Sequence, residues 1–208
     1  MKLLRKSLIG AVALCGMVWM MPSAQAQVAN VGVVDEAKLG LEYKKYKEAM
    51  DANEKRADDV EGKLAARELL TDTEGKQFDD LIRKAAPSPA ETTSLTTLVT
   101  SGTNRRAEYL GLVGKATRTD AETARMKALE ADATRNAPAL QKVMDDIFND
   151  LKKQRAEIEQ QHLDKASKVI EQVAGDKKLT IVISKRSVIW NAAALDITDE
   201  VLSRLNKG

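Results

Sequence analysis

The sequence has very few aromatic side chains and almost no residue types that carry out chemistry. Aromatic residues make up 3% of the 208 residues, and there is one cysteine and one histidine. So few large apolar side chains are poorly suited to one thick globular core. Charged residues amount to 31% of the chain, and much of its apolar content is alanine. This composition is typical of long helices or coiled coils.

Motifs for catalysis or metal binding are absent from the sequence. There is no phosphate-binding loop, no G-x-G-x-x-G and no H-E-x-x-H. His162 falls in the middle of a predicted helix, where a seam-edge or surface position is expected. Acidic pairs such as Asp58-Asp59 are helix neighbours that point about 100° apart, which is poor geometry for chelation. We therefore expect no enzyme activity, no cofactor and no metal.

The first 26 residues have the three parts of a secretory signal peptide. Three cations precede an apolar run at 7–21, and Ala24-Gln25-Ala26 is a small-x-small cleavage site. The run is shorter than the roughly 20 residues of a transmembrane anchor. A lipoprotein leader ending at Cys15 is disfavoured by the bulky Leu14 before it. We expect export and cleavage after Ala26.

The chain that remains after cleavage, residues 27–208, is nearly neutral. Removing the three leader cations leaves 30 basic against 31 acidic side chains, a net charge of −1. A chain without an overall positive charge lacks the electrostatic footprint of a nucleic-acid-binding protein. It also has no cysteine, so export brings it no disulfide.

Two long segments have apolar residues at the alternating four- and three-residue spacing of a coiled coil. The first runs from Leu39 to Leu64, and its one strongly polar seam residue, Asn53, either fixes the register or is exposed. The second lies within a helix predicted over 120–174. Asn136-Ala137-Pro138 is expected to bend or restart that helix, and Gly175 to end it.

Three capping boxes divide the helical region, at 71–74, 88–91 and 119–122. In each, a Thr or Ser is followed three residues later by Glu, so that both side chains bind free backbone N–H groups at a helix start. We therefore expect breaks near 70, 86 and 118 within an arm that spans 36–174. Three glycines make 90–117 the least regular part of this arm.

Both ends of the sequence are predicted to form β-strands. Residues 28–35 are rich in valine, and a hairpin is expected from Thr180–Ser184 and Ser187–Trp190. Because one hairpin is marginal alone, we expect 27–35 and 175–208 to meet in a small β head that buries its apolar side chains by association of copies. The residues expected to associate, here called the association head, are Val31, Val33, Ile181, Ile183, Val188 and Trp190.

Positive charge is concentrated in the distal part of the arm. Residues 83–127 carry eight basic and four acidic side chains, whereas 27–82 carry nine and 14. Such charge either keeps the arm soluble or attracts acidic protein segments or anionic lipid headgroups. The candidate binding cations are Arg83, Lys84, Arg105, Arg106, Lys115 and Arg118.

The sequence reads VGVVDEAKLGLEYKKYKEAM near its start and VIEQVAGDKKLTIVISKRSVIWNAAALDITDEVLSRL near its end. These two segments resemble the Skp/OmpH family of periplasmic chaperones. The resemblance covers about 65 residues, at 28–50 and 166–205. The middle matches in character more than in residues, and it is similar to longer-armed members in which LTD-x-E segments start short helices.

The resemblance implies a mainly α fold with a small β head, assembled as a jellyfish-like homotrimer. Strands of three subunits would form the body, and helical hairpin arms with a coiled-coil seam would enclose a cavity. Unfolded outer-membrane proteins would be held in that cavity, in the periplasm and without ATP. The implied partners are further copies of the chain and unfolded outer-membrane proteins, with anionic lipid headgroups as a further candidate and no nucleic acid.

A second function fits the same sequence, namely a coiled-coil scaffold of the cell envelope without chaperone activity. A holdase needs an open apolar lining that faces its client, whereas a scaffold needs a closed seam and one specific partner. The glycine-broken segment at 90–117 indicates mobile arms, which favours the holdase.

Overall fold

The computed structural model describes residues 30–208. The expected signal peptide lies outside this part of the chain, as does the beginning of the strand predicted at 28–35. The mainly α fold with a small β component is confirmed. Short 3-10 turns lie at Ala65–Leu69, Lys185–Ser187 and Ala193–Leu195. The strands and helices are β1 (Val31–Val34), α1 (Glu36–Glu42), α2 (Lys44–Leu64), α3 (Asp72–Ile82), α4 (Pro89–Val113), α5 (Asp120–Asp176), β2 (Ile181–Ser184) and α6 (Thr198–Lys207).

All three predicted capping boxes form. The hydroxyls of Thr71, Ser88 and Thr119 each accept a hydrogen bond from the backbone N–H three residues later. The carboxylate at that third position in turn accepts from the N-cap N–H. Because each box satisfies two N–H groups that have no partner inside the helix, α3, α4 and α5 begin where the sequence predicted new helix starts.

The arm runs outward, back, outward again and then returns to the head. α3 runs back beside α2, since the Arg56 guanidinium in α2 donates to the carbonyl of Arg83, just past the end of α3, at 3.1 Å. α4 then passes over the turn between α2 and α3, where Gly102 lies against Ala66. α5 makes the full return, on the order of 85 Å at 1.5 Å per residue. The sequence predicted these helix starts but only one outward and one return path, whereas the arm runs outward twice and back twice.

Within residues 30–208, three separate apolar cores follow one another along the molecule. The middle core joins all four arm helices, through Val60 and Leu64 of α2, Phe78 of α3, Leu98 of α4 and Ile147 of α5, among others. A distal core around Leu69, Leu112 and Leu129 joins the end of α4 to the start of α5. The head core joins β1, α1, α6 and the end of α5. Burial of the middle core is what keeps α3 and α4 packed on the arm.

The turn at residues 65–70, here called the reversal turn, is held by buried polar groups. Asn136 of α5 is 3% exposed and donates to the carbonyls of Glu68 (2.9 Å) and Leu70 (2.7 Å). Arg67 is also 3% exposed, and its guanidinium forms two hydrogen bonds with Asp79 of α3, at 2.7 and 3.1 Å. Burying a carbonyl or a cation without such partners would lower the free energy of unfolding. These contacts therefore fix where the chain reverses.

The predicted β-hairpin at 180–190 is wrong. β2 pairs with β1 in parallel, with Val31 opposite Ile181 and Val33 opposite Ile183, and Ser187–Trp190 is not a strand. The Ser184 hydroxyl accepts from the N–H of Arg186 and starts a 3-10 turn that leads the chain off the sheet. The other edge of β1 is occupied further along, where Ile197 donates its N–H to the Val33 carbonyl at 2.9 Å.

The predicted restart of the helix at Asn136-Ala137-Pro138 is also wrong, because α5 continues through Pro138. A proline inside a helix removes one backbone hydrogen bond. Contacts on both sides hold the helix here: Asn136 binds the reversal turn, and Val143 is buried in the middle core. α5 ends at Asp176, two residues beyond the predicted end, and Lys178 follows with a φ of 53°.

Replacing Gly102 by alanine tests the close crossing of α4 and the reversal turn. A Cβ at this position would lie 2.0 Å from the carbonyl oxygen of Ala66. Because the clash is with backbone, we expect Gly102→Ala to lower the free energy of unfolding by about 1–3 kcal/mol, measured by urea denaturation followed by circular dichroism.

Gly111→Ala is the matched control on the same helix. A Cβ at Gly111 meets nothing within 4 Å, so the better helix propensity of alanine is expected to stabilise the chain by about 0.5–1 kcal/mol. Equal effects of the two substitutions would contradict the crossing.

Candidate functional site

The association head is divided between buried and exposed positions. Val33 is 1% exposed and belongs to the chain's own core, whereas Val31, Ile183 and Val188 are half-buried. Ile181 is 50% exposed and Trp190 is 80% exposed. Val31 and Val33 lie opposite Ile181 and Ile183 in the sheet, while Val188 and Trp190 lie on the segment that follows it.

The segment at 188–190 is the most exposed apolar surface of the head. Ile189 is fully exposed and lies next to Trp190. Ile189 is not among the six residues of the association head. In the structure the segment is not a strand, and Ile189 and Trp190 are both exposed.

The six candidate cations form no single positive patch, because each of them forms an ion pair or hydrogen bonds with another group of the same chain. Four pair with carboxylates on neighbouring turns or helices at exposed positions, and Arg105 does so at a largely buried one. Arg118 instead donates to backbone carbonyls at the end of α4. The partners are Asp146 for Arg83, Glu91 for Lys84, Glu74 for Arg105, Glu68 for Arg106, Glu122 for Lys115, and the carbonyls of Leu112, Val113 and Lys115 for Arg118.

Arg105 contributes to the structure of the arm more than to its surface charge. Its side chain is 23% exposed and donates to both oxygens of Glu74 and to the carbonyl of Leu69 at 3.2 Å. The Arg105 guanidinium lowers the pKa of Glu74 to about 2, so this pair stays ionised at any physiological pH. Arg106, half exposed and 3.6 Å from Glu68, is the freer of the two.

An open groove lies along the middle of the arm. It has a volume of about 520 Å³ and lies between α2, the α3–α4 loop, the first turns of α4 and α5. Its floor is formed by members of the middle core, and its rim carries several cations; we call it the arm groove. The residues that line it include Ala49, Ala52, Lys55, Arg56, Asp59, Val60, Lys63, Leu81, Ile82, Lys84, Thr92, Leu95, Thr96 and Ile158.

Sequence reasoning missed the arm groove, although it identified one residue on its rim, Lys84. The groove exists only because α3 runs back beside α2, and a capping box shows where a helix begins but not in which direction it runs. The available signal was the short α3 between two boxes, since an 11-residue helix is too short to extend the arm far.

His162 packs where the head joins the arm. Its ring stacks on Tyr46 with centroids 4.2 Å apart and on Tyr43 with centroids 5.1 Å apart. Its Nδ1 is buried and has no hydrogen-bond partner among the described residues. Burial lowers the pKa of His162 below its ordinary value. The residue thus acts as a neutral seam side chain, and Lys45 and Lys165 lie beside it.

The stacked histidine predicts a pH dependence of stability. Because the pKa of His162 is lower in the folded chain than in the unfolded chain, its contribution is complete above pH about 6.5 and is lost as the pH falls through the folded pKa. We expect the melting temperature to fall between pH 7.5 and 5.5, and to fall less in His162→Phe, which keeps an aromatic ring. An identical fall in both proteins would contradict this role.

Two further kinds of feature are absent from residues 30–208. No helix in this range is both long and apolar enough to cross a membrane. Within the same range, no three or more His, Cys, Asp or Glu side chains are grouped so that they would hold a metal ion.

Comparison with known protein families gives a match over the second half of the chain. A family model described as "Outer membrane protein (OmpH-like)" matches residues 94–205, slightly more than half of the chain. The matched range begins in α4 and includes all of α5, β2 and the segment at 188–190. A comparison with proteins of curated function finds no match.

Proposed function

The chain belongs to the OmpH-like family of outer membrane proteins, and on that premise we propose that it is an ATP-independent holdase of the periplasm. The family suggests a periplasmic chaperone role, the binding of unfolded outer-membrane proteins, and no enzymatic activity. In the proposal, three copies associate through the association head together with Ile189, and their arms hold an unfolded outer-membrane protein between them.

The observation that carries the proposal is that large apolar side chains are exposed along an arm whose helices pack on a common core. Leu110 and Val113 are 60% and 48% exposed near the far end of α4, and Phe148 and Leu163 are 37% and 58% exposed on α5. The arm groove adds a concave apolar surface. A holdase must bind many sequences weakly, and contacts without directional hydrogen bonds suit that task. Repetition on several arms adds avidity.

The holdase activity is tested by aggregation of a client. A urea-unfolded β-barrel outer-membrane protein is diluted into buffer without ATP, with and without the chain from Gln27 to Gly208, and turbidity is recorded. We expect suppression at about one trimer per client. No suppression by a chain shown to be trimeric would contradict the proposal and favour the envelope scaffold.

Assembly through the head is tested with Ile189→Asp. Ile189 is fully exposed in the single chain, so the substitution is not expected to unfold it, but a charge there would be buried without a partner in an assembly. We expect light scattering to show loss of the trimer, with an unchanged circular dichroism spectrum.

Leu163→Asp is the control, because it places the same charge at an exposed apolar position on the arm. The control is expected to remain trimeric. A trimeric Ile189→Asp variant would exclude the exposed segment at 188–190 from the interface.

A further inference from the structure

The arm groove has an apolar floor formed by side chains that also build the arm. Ala49, Ala52 and Ile158 line it and are partly or fully exposed. Beneath this accessible lining it is also lined by four members of the middle core that are at most 8% exposed, namely Val60, Leu81, Ile82 and Leu95. Because these residues are fixed by packing on their other side, the floor is preformed. The volume of about 520 Å³ lies within the range of binding sites for small ligands and short peptide segments.

The threonine hydroxyls on the α4 wall of the groove already form hydrogen bonds within the helix. Thr92 and Thr96 line it, and their hydroxyls already donate to the carbonyls four residues earlier, at 3.0 and 2.9 Å. A threonine satisfied in this way offers its methyl group to a neighbour without leaving a polar atom unpaired. The wall therefore accepts apolar side chains of different shapes.

The rim of the groove is positive. Lys55, Arg56, Lys63 and Lys84 lie on it, against one acidic side chain, Asp59. Lys63 pairs with Asp59 and Lys84 pairs with Glu91, but Arg56 donates to the neutral carbonyls of Ile82 and Arg83 and forms no ion pair with a described carboxylate. Lys55 is exposed beside it. The groove thus combines an apolar floor with a cationic edge.

We propose that the arm groove is a subsite for a short unfolded polypeptide segment whose apolar side chains are flanked by acidic residues. The apolar part would lie on the floor, and the acidic flank would lie against Lys55 and Arg56. The inference rests on the proposed holdase function and names the kind of client segment that one arm recognises by itself.

The test uses two fluorescein-labelled peptides of about 12 residues with the same alternating Leu/Ser centre, one flanked by Asp pairs and the other by Lys pairs. Binding to the assembled chain from Gln27 to Gly208 is measured by fluorescence anisotropy. We expect the Asp-flanked peptide to bind at least tenfold more tightly. Equal binding of the two peptides would overturn the proposal.

Thr96→Glu and Thr97→Glu are the matched pair of variants. Both residues are exposed on α4 and both hydroxyls donate to the carbonyl four residues earlier, but only Thr96 lines the groove. We expect Thr96→Glu to weaken binding of the Asp-flanked peptide at least tenfold and Thr97→Glu to change it less than twofold, with equal melting temperatures. Equal effects on binding would overturn the proposal.

Lys55→Glu tests the rim, with Lys47→Glu as its control on the same helix outside the groove. We expect Lys55→Glu to remove most of the preference for the Asp-flanked peptide and Lys47→Glu to retain it. A preference that survives Lys55→Glu would overturn the assignment of the acidic flank.

The same variants would reveal two other possible occupants of the arm groove. If Thr96→Glu changes the number of subunits found by light scattering, the groove holds another copy of the chain. If vesicles of anionic phospholipid displace the peptide and lose their own binding in Thr96→Glu, the groove holds an acyl chain. Either result overturns the proposal.

Turbidity measured with the outer-membrane client distinguishes a failure of the groove proposal from a failure of the holdase proposal. If the unaltered chain suppresses aggregation but Thr96→Glu binds the peptide normally, the subsite is wrong and the holdase stands. If the unaltered chain fails to suppress aggregation while peptide binding still depends on Thr96, the holdase is wrong and the groove remains a peptide site.

Discussion

The structure of the arm depends on the hydrogen bonds that hold the reversal turn at residues 65–70. Asn136 satisfies two carbonyls there from α5, and Arg67 reaches Asp79 of α3 from a buried position. Gly102 lets α4 pass directly over the backbone of Ala66. Because these contacts join all four arm helices at one level, α3 must run back beside α2. The middle core and the arm groove both follow from that reversal.

This architecture assigns different physical roles to charge and to apolar surface. Most of the cations that the sequence suggested for binding are neutralised by carboxylates of the same chain, as Arg105 is by Glu74 and Lys84 by Glu91. They stabilise helix starts and crossings, and the arm groove combines apolar side chains with the charges of Lys55 and Arg56. For the proposed holdase, such an arm would bind its client through weak, shape-tolerant contacts, so that release would need no nucleotide.

Local patterns predicted local structure well and the path of the chain poorly. The capping boxes gave the starts of α3, α4 and α5, and the four-three spacing gave the buried Leu39, Val60 and Leu64. The hairpin at 180–190 failed because Ser184 starts a turn and because the free edge of β1 pairs with Ile197, which no local pattern shows. Pro138 failed as a break for a similar reason, since Asn136 and Val143 hold α5 from both sides. The sequence suggested only that Gly102 weakens its helix. The structure shows why a glycine is needed there, because the backbone of Ala66 lies against it.

Native-state hydrogen exchange of α3 in the assembled chain is the most direct measurement of the central claim, that the reversal turn makes α2, α3, α4 and α5 one cooperative unit. The account predicts that the slowest amides of α3, around Phe78 and Leu81, open with the same free energy as those of α5 around Ile147, because the two segments share one core. Fast exchange of α3 beside a protected α5 would contradict it. The arm would then be a two-helix hairpin with a loosely attached insert, and the groove would have no fixed wall.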